Sequence, residues 1–149
     1  MALTVLLCTD GSELALNALA AGMDVLGAAD RVVIATVVEP VDPTLLTGTG
    51  MAAGVMSPED FTRLEEDRDA DAREVLEATR ATLGVDDAEL FVVAGSPGHR
   101  LCELAEELAA SVIVMGTSGR GGIRRAFLGS VSDHVVRNAP CPVLTTGAG

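Results

Sequence analysis

The chain has 149 residues, the length of one domain, and its 48% hydrophobic content is enough for a packed core. Its formal net charge of −12 argues against a nucleic-acid-binding surface, because phosphate backbones require a basic face. Three widely spaced cysteines without a CxxC pair disfavour a disulfide framework or a zinc site. No apolar run reaches membrane-spanning length, so we expect a cytoplasmic protein without membrane insertion.

The first half of the chain alternates strand and helix patterns. Residues 3–9 form a nearly continuous apolar run, typical of a strand buried on both faces. Asp10-Gly11-Ser12 ends that strand, and Ser12 is a suitable cap for a helix reaching about Leu26. Residues 31–38 predict a second buried strand.

Residues 39–56 are long for a connection and rich in Pro, Gly and Thr. Connections of this length in compact domains are usually functional or mobile. Two interpretations stay open, a lid over a bound ligand and a disordered link.

The second half repeats the alternation. Ser57-Pro58 is a helix start with proline at the first helical position, and the apolar pattern extends to about Leu83. Further strands are predicted at 89–94, 111–115 and 142–146. Two helices separate them: one begins near Pro97, and the other ends before Pro140. Strands alternating with helices predict an α/β fold, a single doubly wound domain with a five-stranded parallel sheet and helices on both faces.

A glycine-rich stretch follows the fourth predicted strand, with the spacing Gly116-x2-Gly119-x9-Gly129-Ser130. Glycines allow close backbone approach, and the first amides of a following helix favour an anion. Ser130 is predicted to cap that helix or to bind a phosphate, with Asp133 completing a capping-box-like pattern. Arginines add positive charge nearby, at positions 120, 124 and 125. The alternative is a tight strand-to-helix turn that binds no ligand.

This spacing resembles the ATP-binding loop of the universal stress protein family, G-x2-G-x9-G-[S/T]. The resemblance extends over nearly the whole chain, through TVLLCTDGS, VVIATVVEP, AGSPGHRLCELAEE and NAPCPVL. It implies one domain over residues 1–149, with sheet order 3-2-1-4-5 in the Rossmann-like, adenine nucleotide alpha hydrolase-like class. It also implies a homodimer formed through the last strand, which lies at a sheet edge and carries no charged residue.

The resemblance further implies ATP or another adenine nucleotide as ligand, with Mg²⁺ or Mn²⁺ held through its phosphates. Thr9 and Asp10 match residues near the adenosine, and Val37 matches the valine that contacts adenine. Ser118 departs from the family pattern of Arg or His, and Arg120 is close enough to compensate. The remaining matches line the ribose (Met115, Gly116) and the phosphates (Gly119, Gly129, Ser130, Val131).

The catalytic signals are negative. The sequence has no Walker A lysine and no G-x-S-x-G elbow, and His99 and His134 have no partners at metal-ligand spacing. We therefore expect an ATP-binding sensor or switch that acts on an unknown protein partner in the stress response. The alternatives are a slow ATPase or adenylate-transferring enzyme, and a dimeric stress protein that binds no nucleotide.

Overall fold

The structure is a computed structural model that describes residues 2–48, 55–117 and 129–147. Within them a five-stranded parallel sheet has the order β3-β2-β1-β4-β5, which confirms the predicted topology. The strands are β1 (Thr4–Cys8), β2 (Arg31–Val38), β3 (Glu89–Ala94), β4 (Val112–Gly116) and β5 (Val143–Thr146). The helices are α1 (Glu13–Leu26), α2 (Thr44–Thr47), α3 (Pro58–Leu83), α4 (Pro97–Glu107) and α5 (Ser130–Asn138).

The central strands read as unbroken apolar runs because helices cover both of their faces. Every residue of β1 is buried, and so are the first four residues of β4. Alternate side chains therefore enter two separate cores. Leu6 and Cys8 face the core under α4 and α5, whereas Val5 and Leu7 face the core under α1 and α3.

The chain has no Trp or Tyr, so each core is built mainly from aliphatic side chains, and Cys8 and Met115 add sulfur atoms to the core under α4 and α5. A fully buried Leu, Ile or Val contributes about 1.5–3 kcal/mol of transfer free energy. The residues with no exposed surface include Leu6, Leu7, Leu19, Val33, Ile34, Leu76, Ile113, Val114 and Val135.

Serine caps begin two of the helices as the sequence predicts. The Ser12 hydroxyl accepts a hydrogen bond from the Ala15 amide at 3.1 Å, and the Ser57 hydroxyl accepts one from the Asp60 amide at 3.1 Å. Each bond satisfies one of the amides that lack an intrahelical partner.

Two details of the helices differ from the sequence-based prediction. The stretch predicted as an uninterrupted connection contains the single-turn helix α2, and its residues 49–54 lie outside the described part of the chain. In α3 the predicted apolar stripe is buried only in the C-terminal half, at Ala72 and Leu76, and the polar Thr79 is buried beside them. Phe61 and Leu64 are half-buried, because only the later turns lie against the sheet.

Candidate functional site

The carboxyl ends of β1 and β4 meet at the centre of the sheet, where β1 pairs with β2 on one side and β4 on the other. This is the topological switch point at which open α/β sheets bind ligands. Cys8 is opposite Ala35 in β2, and Leu7 is opposite Val114 in β4. Thr9 and Asp10 follow Cys8 directly, so they lie at the carboxyl end of β1, between the ends of β2 and β4.

The turn after β1 holds the Asp10 side chain in one orientation. Its Oδ1 accepts a hydrogen bond from the Ser12 amide at 2.9 Å. The Thr9 hydroxyl accepts one from the Gly11 amide at 3.1 Å, and the Thr9 amide donates to the Ala35 carbonyl at 3.0 Å. Gly11 has φ of 83°, a conformation that favours glycine. Asp10 therefore has the structural role of a turn residue, and it is half-buried at the carboxyl edge of the sheet.

The two ends of the glycine-rich stretch are joined at the start of α5. The Gly129 amide donates to the Thr117 carbonyl at 2.6 Å, which ties the helix N-terminus to the residue after β4. The Thr117 amide in turn donates to the Thr146 carbonyl at 3.2 Å, and the Thr146 hydroxyl donates to the Ala18 carbonyl of α1 at 3.0 Å. The first turn of α5 is therefore anchored at the carboxyl edge of the sheet.

The predicted cap of α5 is wrong by one residue. Gly129 is the N-cap, and Ser130 is the exposed first residue of the helix. The capping box is also absent, because Asp133 forms an ion pair with Arg137 at 3.1 Å instead of returning to the cap. A glycine cap has no side chain to accept from the first amides, unlike Ser12 in α1.

The Gly129 backbone has φ of −64° and ψ of 165°, which any residue adopts. The chain therefore does not need glycine here for its backbone conformation. A requirement for glycine would have to come from close approach of another group.

The structure brings most of the predicted site residues to this edge. Val37, Met115 and Val131 all contribute to the core under α4 and α5. Thr9 and Met115 are buried, whereas Asp10, Val37, Gly116, Gly129 and Val131 are half-buried. The predicted residues Ser118, Gly119 and Arg120 lie outside the described residues, as do Arg124 and Arg125.

Two residues at this edge were missed by the sequence analysis, Thr117 and Ser132. The Ser132 side chain is buried, with 2% exposure, and its hydroxyl donates to the Gly129 carbonyl at 3.0 Å. It also lies 3.3 Å from the Thr117 carbonyl. A serine in the first turn of a helix, directly after Val131, is the signal that would have identified it.

The cysteines are poor nucleophiles. Burial raises the pKa of the Cys8 thiol far above its ordinary value, and burial also raises the pKa of Cys102 and of Cys141. All three thiols stay protonated near neutral pH, as expected of structural cysteines. Among residues 2–48, 55–117 and 129–147, no group of three His, Cys, Asp or Glu side chains is arranged to hold a metal ion.

The family model described as "Universal stress protein family" matches residues 1–146. The chain belongs to the universal stress protein family. A universal stress protein of Methanocaldococcus jannaschii is 32% identical over 140 residues, which cover 94% of this chain and 79% of the relative.

Solved structures of family members share the fold. A universal stress protein in complex with cAMP matches with a TM-score of 0.65 and 24% identity, over 99% of this chain and 98% of the other. A universal stress protein family protein of Arabidopsis thaliana, with AMP bound, matches with a TM-score of 0.60 and 20% identity, over 99% and 92%. In the described part of this chain, no helix is both long and apolar enough to cross a membrane.

Proposed function

We propose that this universal stress protein binds ATP or another adenine nucleotide and acts as a nucleotide-dependent switch in the stress response. The observation that carries the proposal is the anchoring of the α5 N-terminus, through Gly129 and Thr117, at the carboxyl edge of β4. Backbone amides at a helix N-terminus are suited to phosphate groups. The family members with cAMP and AMP support an adenine nucleotide as the ligand class.

In the proposed arrangement the nucleotide lies across the switch point. Its adenosine end contacts Thr9, Asp10 and Val37, and its ribose contacts Met115 and Gly116. The α5 end, with Gly129, Ser130 and Val131, serves the phosphates together with Ser118, Gly119 and Arg120. A glycine cap supports this role, since it leaves the first amides of α5 to an external acceptor.

Any Mg²⁺ or Mn²⁺ would be held through the phosphates of the nucleotide. The carboxylate of the proposed site, Asp10, already accepts from the Ser12 amide. Such a metal would neutralise phosphate charge, a role that the lysine-free chain has no ammonium group to perform.

A switch fits this edge better than an efficient ATPase. General-base catalysis requires a group with a suitable pKa within reach of the attacking water. Among the described residues at the β4 and α5 end, Gly116, Thr117, Gly129 and Ser130 have no side chain suited to act as a general base. The Asp133 carboxylate in the first turn of α5 is paired with Arg137 at 3.1 Å. We propose that turnover is at most very slow.

We also propose a cytoplasmic homodimer that pairs through β5, with a protein partner that reads the nucleotide state. Among the described strands β5 pairs with β4 only, so its other edge is free. Its four residues, VLTT, are uncharged and half-buried, which leaves the edge without the charges that usually protect it.

The proposal is tested by identifying and titrating the nucleotide. Mass spectrometry of small molecules released from freshly purified protein should show an adenine nucleotide. Calorimetric titration of the stripped protein should then give saturable ATP binding with no more than trace hydrolysis. Absence of ATP binding would favour a dimeric stress protein that binds no nucleotide. Rapid turnover of ATP would favour an ATPase or adenylate-transferring enzyme.

A further inference from the structure

The buried hydroxyl of Ser132 lies beneath the proposed phosphate-binding end of the site. It is the third residue of α5 and its side chain is 2% exposed. The hydroxyl donates to the Gly129 carbonyl at 3.0 Å and lies 3.3 Å from the Thr117 carbonyl. It therefore contacts both residues that join β4 to α5.

The same two carbonyls accept the backbone hydrogen bonds of this junction. The Thr117 carbonyl accepts from the Gly129 amide at 2.6 Å, and the Gly129 carbonyl accepts from the Asp133 amide at 2.8 Å. The Ser132 hydroxyl thus shares its acceptors with two backbone hydrogen bonds: the one that joins α5 to the end of β4, and the first one within α5. Most buried hydroxyls are hydrogen-bonded, and here both acceptors belong to the junction.

We propose that Ser132 is a positioning residue for the phosphate groups, which it does not itself contact. Its hydroxyl holds the first turn of α5 at a fixed place relative to the carboxyl end of β4, so that the amides near Gly129 face the phosphates. The inference rests on the proposed nucleotide site. Without the hydroxyl the junction samples other arrangements. The apparent affinity for ATP then falls in proportion to the fraction of protein molecules that keep the binding-competent arrangement.

The effect is specific to phosphate. Adenosine contacts the β1 and β2 end of the site, at Asp10 and Val37, where Ser132 has no hydrogen bond. Loss of the hydroxyl should therefore weaken ATP binding and leave adenosine binding almost unchanged. A general loss of stability would weaken both ligands alike.

Three substitutions and a matched control test this. Ser132→Ala removes the hydroxyl, Ser132→Cys keeps a similar size with a weak donor, and Ser132→Thr keeps the hydroxyl. Thr79→Val is the control, because the Thr79 side chain is also buried in a helix and donates to a backbone carbonyl, that of Val75 at 2.8 Å. Residue 79 lies in α3, on the other face of the sheet.

Two measurements are made on each protein. In the nucleotide-free protein, hydrogen exchange of the Gly129 amide should be about tenfold faster in Ser132→Ala and Ser132→Cys, near the parent rate in Ser132→Thr, and unchanged in Thr79→Val. In calorimetry, Ser132→Ala should bind ATP about tenfold more weakly and adenosine within about twofold of the parent.

The outcomes separate this inference from the proposed function. A parent that binds ATP, with Ser132→Ala binding it equally well, overturns the positioning role alone. Equal weakening of ATP and adenosine also overturns it, and so does a Gly129 amide that exchanges at the parent rate in Ser132→Ala. A parent that binds neither ligand overturns the nucleotide site and this inference together.

Discussion

Gly22 of α1 lies directly against Val114 of β4. A Cβ atom added to Gly22 would be 2.3 Å from the Val114 Cγ1 atom, closer than any real carbon contact. Both residues are buried, and Val114 belongs to the central pair of strands that ends at the candidate site. The absence of a side chain at Gly22 therefore sets how closely α1 packs on the sheet.

Gly22→Ala should destabilise the protein by about 1–2 kcal/mol. Overpacking of a buried contact costs about 1–3 kcal/mol, and the gain in helix propensity from Gly to Ala offsets up to about 1 kcal/mol. Chemical denaturation of both proteins measures the difference. Asn17→Ala, at an exposed position of the same helix, is the control and should be neutral or slightly stabilising. A Gly22→Ala protein as stable as the parent would contradict the close packing.

Gly129→Val should reduce ATP binding by more than tenfold while the fold is retained. The backbone conformation at Gly129 suits a β-branched residue, so the loss would come from the side chain meeting the phosphates. Circular dichroism and calorimetry measure fold and affinity, and adenosine should still bind. Unchanged ATP affinity in this variant would mean that the junction is only a turn.

Asp10→Asn provides the opposite comparison at the adenosine end. The amide side chain keeps an oxygen for the Ser12 amide and removes the charge, so the turn should be preserved. Affinity for ATP and for adenosine should fall by a similar factor. An effect confined to ATP, with adenosine binding unchanged, would place the Asp10 carboxylate near the phosphates instead.

The Cys8 thiol should make the protein unstable in alkali. The folded pKa of Cys8 lies well above the ordinary value of 9.0, because burial disfavours the thiolate. The folded state therefore binds this proton more tightly than the unfolded state, and the stabilisation is complete below pH 9 and is lost as the pH rises above it. The chain has no Lys and no Tyr, so few other groups titrate in this range.

Denaturation midpoints measured from pH 7 to 11 should fall steeply above about pH 9. Cys8→Ala should lower stability throughout, because it removes buried atoms, and should flatten the alkaline slope. An equally steep slope in this variant would assign the loss to another group.

A proline in β5 should dissociate the proposed dimer without unfolding the subunit. The carbonyls of Pro142 and Thr146 face β4, where they accept from the amides of Ile113 and Thr117. Peptide groups alternate in direction along a strand, so the amide of Val143 points to the free edge. Val143→Pro removes an outward donor, whereas Leu144→Pro removes a bond to β4 and should destabilise the subunit.

Light scattering at micromolar concentration should show twice the subunit mass for the parent and the subunit mass for Val143→Pro. If the unsubstituted protein has the mass of a single subunit, the proposed β5 dimer is contradicted. A Val143→Pro protein that keeps the doubled mass would move the interface to another surface.

Apolar runs and cap residues were sufficient to predict the strands and most helices. The runs in β1 and β4 require burial on both faces, and Ser12 and Ser57 mark helix starts by a local hydrogen bond. The cap of α5 was predicted wrongly because Gly129 and Ser130 are both acceptable cap residues. The choice depends on the bond from Gly129 to Thr117, a contact between distant positions that no local pattern contains. That residues 1–149 form one domain stays a prediction.

The peptide groups on the two sides of Thr117 connect the edge strand with the helix that faces the proposed ligand. Its amide donates to Thr146 of β5, and its carbonyl accepts from Gly129 at the start of α5. A ligand that shifts α5 would therefore act on the end of the strand through which subunits are proposed to pair. Thermodynamic linkage makes such an effect reciprocal, so the nucleotide would tighten or loosen assembly by the same factor by which assembly changes nucleotide affinity. Because the fraction of dimer depends on protein concentration, a nucleotide affinity measured at one protein concentration would then apply only at that concentration.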